Sequence, residues 1–149
     1  MNYSYPYPRM LVTVDTVIFK RDLNTNISKV LLIKRRNEPH KGMFALPGGF
    51  PEINELLENA AKRELLEETG VIVNDLYQLA AFDALNRDPR DRNISVVYYG
   101  FSDTDDVNAG DDAEIAEWFE IDSLPPLAFD HKDIVNKAIS KVYKTMNPL

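Results

Sequence analysis

Apolar and polar positions change rhythm several times along the 149-residue chain, and each change marks an element. Residues 10–20 and 29–35 are dense in Val, Ile and Leu, and Asp22-Leu-Asn-Thr-Asn26 between them is turn chemistry. The two segments therefore predict strands joined as a hairpin. A loop with Arg35, Arg36, Pro39 and Gly42 follows, then the short apolar stretch 43–46, then Pro47-Gly48-Gly49, whose glycines permit backbone shapes that a side chain forbids. Residues 54–69 are rich in helix formers and end at Gly70, the place of a left-handed cap, so they predict a helix. Strands are expected over 71–82 and 94–101, where β-branched and aromatic residues return on either side of the polar run 86–93. An acidic loop over 102–112 leads to a short strand at 118–121. Leu124-Pro-Pro-Leu127 interrupts regular structure, and Asp130 with Asp133 predicts the start of a last helix reaching about Tyr143.

Strands interleaved with two helices, joined by both hairpins and crossovers, predict an α/β sandwich around a mixed sheet. With 44% hydrophobic residues over 149 positions, one domain spanning 1–149 is expected, preceded within it by an arm over 1–9. Tyr3, Tyr5 and Tyr7 are interspersed with Pro6 and Pro8, which suggests an extended arm packed on its own domain or on a second subunit in a homodimer.

Charge and composition remove several functions. Lys plus Arg is 17 and Asp plus Glu is 24, a net charge of −7, which argues against nucleic acid or an anionic membrane as partner. A small anionic substrate remains compatible if metal ions or placed arginines meet its charge. The absence of Cys excludes disulfides, thiolate zinc sites and cysteine nucleophiles. The first ten residues lack the apolar stretch of a secretory signal, and no apolar run approaches the roughly 20 residues of a membrane span, so a cytoplasmic protein is expected.

The helix over 54–69 carries the candidate chemistry. Glu64, Glu67 and Glu68 stand at i, i+3 and i+4, on an arc shared with Leu57, Ala60 and Ala61 and away from Asn59, Lys62 and Leu66. They should continue the inward-facing stripe. As neighbours they repel by roughly 0.2–0.5 kcal/mol per pair, and in the last turn each opposes the helix dipole by roughly 0.3–1 kcal/mol. A divalent cation reverses both penalties, and hard oxygen ligands suit Mg²⁺ or Mn²⁺. A merely solvated Glu-rich surface is the plain alternative. Gly48 and Gly49 weigh against it, because backbone amides there can approach phosphate oxygens, and bound metal beside such a loop is equipment for displacement at phosphorus.

Gly49, Glu55, Arg63, Glu64, Leu65, Glu67, Glu68, Gly70 and Val71 together resemble the signature of the Nudix hydrolases at every place, a coincidence on the order of 10⁻⁹ at background residue frequencies. The resemblance implies a Nudix α/β/α sandwich and hydrolysis of a nucleoside diphosphate linked to another moiety. It implies Glu64, Glu67 and Glu68 as ligands of Mg²⁺, with Arg63 and Glu55 pairing to hold the loop and helix. Pro51 and Asn54 depart from the usual loop residues. Thr13-Val-Asp15, Lys41-Gly-Met-Phe-Ala-Leu-Pro-Gly-Gly-Phe50, Arg87-Asp-Pro-Arg90 and Leu124-Pro-Pro-Leu-Ala-Phe-Asp-His131 further resemble the branch of ADP-ribose pyrophosphatases and ADP-ribose-sensing regulators. The regulators carry a winged-helix domain and related bifunctional enzymes a nucleotidyltransferase, and neither fits in 149 residues. The expected activity is therefore cleavage of ADP-ribose to AMP and ribose 5-phosphate, with an oxidised-nucleotide triphosphatase and a non-catalytic ADP-ribose-binding module as alternatives.

Outside the signature, Arg36, Gly48, Gly49, Arg87 and Arg90 are the candidates for substrate contact. Arg87 and Arg90 could equally pair with Asp88 and Asp91, and Arg35 and Arg36 could be solvated. Asp112 and Glu114 could supply a further acid or belong to an acidic surface. His40 and His131 show no ligand spacing, and Asp130-His131 reads as a helix start. Phe44, Phe82 and Trp118 fit core packing better than stacking on a base.

Overall fold

The computed structural model describes residues 2–23, 26–110 and 113–146. Its elements are β1 (Leu11–Arg21), β2 (Ile27–Arg35), β3 (Phe44–Ala45), β4 (Gly48–Gly49), α1 (Leu57–Thr69), β5 (Tyr77–Phe82), β6 (Asn93–Phe101), β7 (Ala113–Glu120) and α2 (His131–Met146). One mixed sheet runs β3-β2-β1-β6-β5, with β7 pairing β2 and β4 pairing β1. β1 lies parallel to β6 along its length and antiparallel to β2 and β4. The expected hairpin of β1 and β2 is present, although residues 24 and 25 of its turn lie outside the described residues.

Alternation along β1 assigns its two faces. Val14 and Ile18 join Ala60, Ala61 and Leu65 of α1 in one core, while Val17 and Phe19 join Ile134, Val135, Ala138 and Val142 of α2 in another. The result is the expected α/β/α sandwich, and it explains why β1 is apolar on both faces. Asp15 shares the parity of Val17. It therefore belongs to the face covered by α2.

Three boundaries differ most from the sequence reading. α1 begins at Leu57 and not at 54, because the Glu52 backbone N–H donates to the Glu55 carboxylate at 3.0 Å and the Glu55 N–H to the Glu52 carbonyl at 3.1 Å, closing a turn. The strand expected from 71 begins at Tyr77, since Val71, Val73 and Leu76 are buried against α1 and spend their apolar character there. β7 covers Ala113–Glu120 and not 118–121, because its acids meet lysines of β2: Glu114 lies 3.9 Å from Lys34 and Glu120 4.0 Å from Lys29.

The arm is also corrected. Tyr3, Tyr5 and Tyr7 are exposed, with Tyr3 stacked on Tyr5 and the Arg9 guanidinium over the Tyr5 ring, so the arm does not pack on its own domain. Phe44 and Phe82 pack against the core beneath α2 and Trp118 against that beneath α1, where its indole N–H donates to the Thr104 carbonyl. Among the described residues no helix is long and apolar enough to cross a membrane.

Candidate active site

The C-terminal half of α1 meets the Gly48-Gly49 strand edge to edge. The Gly48 N–H donates to Glu68 Oε1 at 2.8 Å. A Cβ on Gly49 would stand 2.4 Å from the carboxyl carbon of Glu64, and one on Gly48 would stand 2.2 Å from the Val14 carbonyl oxygen. Gly48 therefore has no room for a side chain against the backbone, whereas at Gly49 only the Glu64 carboxylate would have to shift.

Arg63 is the hub of the cluster. Its guanidinium donates twice to Glu55, once to Glu64 at 2.9 Å, once to Glu67 at 3.2 Å and once to the Phe50 carbonyl at 3.1 Å. The Arg63 hydrogen bonds, with that from the Glu52 backbone, hold the Glu55 carboxyl at about 2. The Glu64 carboxyl is pushed up by burial, against the pull of Arg63. α1 has no basic residue in its last turn; instead the N–H groups of Asn108, Gly110 and Gly70 take the carbonyls of Thr69, Glu68 and Leu66. Backbone donors thus satisfy the carbonyls at the helix end, which carboxylates, being acceptors themselves, cannot.

The three carboxylates are not equally inward. Glu68 is 6% exposed, whereas the Glu67 side chain is 41% exposed and stands at the rim. The reason is angular: Glu67 lies about 100° around the helix from Glu68, at the edge of the arc. Among the described residues no three acids or histidines converge into a ready-made cage. A metal would instead draw Glu64 and Glu67 from Arg63, and their hard oxygens on one helical arc suit Mg²⁺ or Mn²⁺ in character.

A cavity of about 320 Å³ opens beside this cluster. Gly48, Gly49, Glu64 and Glu68 line it together with Arg35, Arg36, Arg87 and Arg90, while Glu67 does not. Its remaining lining includes Asp15, Asp88, His131, Phe50 and Phe129. The Arg36 guanidinium donates to the Ala113 carbonyl at 3.2 Å, and that of Arg35 to the Pro39 carbonyl at 2.7 Å. Burial, then the nearby Arg90, lowers the Arg35 pKa against the opposing pull of Glu68, Asp88 and Asp15.

Arg90 pairs with Asp88 as the sequence allowed, through bonds of 3.0 and 2.7 Å. Burial pushes the Asp88 carboxyl up, but the Arg90 hydrogen bonds outweigh it and hold it below the usual range. Arg87 instead reaches across the chain to Asp130, donating at 3.0 and 2.7 Å, with a side chain only 3% exposed. The Asp130 carboxylate is thereby committed to Arg87, and it is the Asp130 carbonyl that accepts from Asp133 and Ile134 at the start of α2. Glu114 faces Lys34, and Asp112 lies outside the described residues.

Asp15, His131 and Phe129, to which the sequence reading assigned no role in the site, line the cavity. A lone acid inside an apolar strand was the available signal for Asp15. Phe129 adopts a φ of 53°, in the left-handed region, and its ring lies 5.0 Å from the Arg35 guanidinium and 5.7 Å from that of Arg90. A bulky residue held there is uncommon, and here it marks the cavity wall.

Comparison with known proteins places this geometry in context. The model of the NUDIX domain matches residues 11–138. The chain is 45% identical over 129 residues to the ADP-ribose pyrophosphatase of Methanocaldococcus jannaschii, covering 87% of this chain and 73% of that protein. It is 35% identical over 141 residues to the ADPR responsive transcriptional repressor NtrR of Acinetobacter baylyi, covering 91% of this chain and 56% of the repressor. Among solved structures, the NUDIX domain of Shewanella oneidensis NrtR complexed with ADP ribose superposes with a TM-score of 0.84 at 30% identity, covering 95% of this chain and 94% of that one.

Proposed function

The chain belongs to the Nudix family and is a hydrolase of pyrophosphate bonds, and on that premise we propose that it cleaves ADP-ribose to AMP and ribose 5-phosphate with Mg²⁺ or Mn²⁺ as cofactor. The observation that carries the reading is one cavity lined by both Glu64 and Glu68 and by Arg35, Arg36, Arg87 and Arg90. A diphosphate needs positive charge along its oxygens and a metal-binding acid beside its bridge. Similarity to an ADP-ribose pyrophosphatase, and to a domain crystallised with ADP ribose, supports the substrate.

Glu64, Glu67 and Glu68 would hold the metal, which when bound activates water and neutralises charge on the phosphate oxygens. Hydrolysis adds one water across the P–O–P bridge, the hydroxyl to one phosphorus and a proton to the departing phosphate. Arg36 and Arg90 are the guanidinium groups assigned to the diphosphate, while the glycines let the chain approach it closely. Arg63 and Glu55 fix the loop so that the carboxylates keep their place, and a carboxylate of the cluster accepts the proton from water.

Incubation with ADP-ribose and Mg²⁺ tests this directly: AMP and ribose 5-phosphate should appear in equal amounts. Similarity to the repressor favours one rival, a sensor, which would bind ADP-ribose and release no AMP.

A further inference from the structure

Two buried side chains at the base of the cavity face each other without closing a hydrogen bond. His131, 3% exposed, opens α2 and accepts the Leu46 backbone N–H on Nδ1 at 3.0 Å. That bond needs a lone pair on Nδ1, so the ring proton sits on Nε2. Burial favours the same neutral form and pushes the imidazole below its ordinary range, with Asp15 and Asp130 opposing the shift and Arg87 and Arg35 assisting it. Nε2 lies 3.8 Å from Oδ2 of Asp15, too far for a hydrogen bond. Both residues line the cavity, and among the described residues no acceptor takes the Nε2–H.

Asp15 is fixed as firmly as its partner. It stands on central strand β1 and is 8% exposed; its Oδ2 accepts the Ser95 hydroxyl, and a Cβ on Gly48 would meet Oδ1 at 2.3 Å. The pair thus presents one donor with nothing to give to and a carboxylate with spare lone pairs, a short way from the Gly48 amide that holds Glu68.

We propose that Asp15 and His131 form a hydroxyl-reading pair, in which one ribose hydroxyl of the substrate accepts from His131 Nε2–H and donates to Asp15; the inference rests on the ADP-ribose reading. A hydroxyl is the group that does both with a single atom, and an oxygen about 2.8 Å from each side chain closes a triangle over the 3.8 Å gap. A phosphate oxygen is repelled by Asp15. An amino group leaves the Nε2–H unpaired, and a carbonyl gives Asp15 nothing. Both residues are buried, and a ligand without the hydroxyl covers the His131 Nε2–H without giving it an acceptor, the situation in which a site rejects an analogue most strongly.

The test is a cycle between side chain and ligand. His131→Asn keeps an acceptor for Leu46 and removes the Nε2–H, and Asp15→Asn keeps an acceptor for Ser95 and removes the charge. Steady-state kcat and KM are measured with Mg²⁺ for ADP-ribose and for two analogues, one without the 2′ and 3′ hydroxyls of the adenosine ribose and one without those of the terminal ribose. Wild type should lose at least about tenfold in kcat/KM on one analogue. Each variant should lose a similar factor on ADP-ribose, mainly through KM, and less than about twofold more on that analogue. Losses that multiply on both analogues overturn the pair, as do wild-type tolerance of both analogues, a fall in kcat alone on all three compounds, or failure of both variants to fold. If wild type does not cleave ADP-ribose, the substrate reading falls and takes this inference with it. Multiplying losses in a protein that does cleave it remove only the pair.

Discussion

Arg63 grips Glu55 through two parallel hydrogen bonds, Nε to Oε2 at 2.7 Å and Nη2 to Oε1 at 2.9 Å. This fork ties the loop before α1 to the middle of the helix and leaves Nη1 for Glu64 and Glu67. The same guanidinium therefore sets the loop and balances two acids of the cluster.

A pH dependence of stability follows from that grip. The Glu55 carboxyl titrates at about 2 in the folded protein, below its value of about 4.3 in an unfolded chain. A depressed folded pKa gives stability that is complete above the unfolded value and lost as pH falls toward the folded one. Glu55→Gln should lower the urea midpoint at pH 6, and the gap from wild type should close between about pH 4.5 and pH 2. A gap independent of pH would mean that the Glu55 charge is not what matters.

The acids of α1 should matter for turnover more than for folding. Glu67→Gln and Glu68→Gln should each lower kcat by at least about 10²-fold, and a Gln at 68 still offers an oxygen to the Gly48 N–H. Saturating Mg²⁺ should raise the melting temperature of wild type and do so less in each variant, since a cation bound by the native state alone stabilises it. Near-normal turnover in both folded variants would remove the metal assignment.

The two glycines should separate by what each Cβ meets. At Gly48 it meets the backbone oxygen of Val14, which cannot yield, whereas at Gly49 it meets the far end of the Glu64 side chain. Gly48→Ala should lower the melting temperature strongly, while Gly49→Ala should leave the fold intact and reduce turnover. Thermal melts and steady-state rates on both proteins decide it.

Arg87 is the buried partner of Asp130, and the pair joins the 86–93 loop to the start of α2. Arg87→Ala should cost about 3 kcal/mol by leaving that carboxylate without its partner. Denaturant titration should also show that Arg87→Ala with Asp130→Ala costs less than the sum of the two single changes. Additive losses would mean that the two side chains act independently.

What was legible in the sequence was local. Helical spacing exposed Glu64, Glu67 and Glu68, and Gly70 fixed the end of α1, because both signals lie within a few turns of chain. The layered mixed sheet followed from the order of the strands and helices. The approach of Asp15 to His131 was not legible, since β1 and the start of α2 bring them together from distant positions and neither has a spacing rule. β7 was shortened because its acids look like a loop until Lys29 and Lys34 of β2 stand opposite them. Arg87, read as a substrate contact or as a partner of Asp88 and Asp91, pairs with Asp130 on another element, and of the two surfaces offered to the tyrosine arm its own domain is not one it packs on.

The choice of substrate is tested most directly by kcat/KM for ADP-ribose against 8-oxo-dGTP at one Mg²⁺ concentration, following AMP from the first and pyrophosphate from the second. ADP-ribose should be preferred at least about tenfold, roughly 1.4 kcal/mol in transition-state binding. Preference for the triphosphate, or binding of ADP-ribose without release of AMP, would contradict the proposed activity.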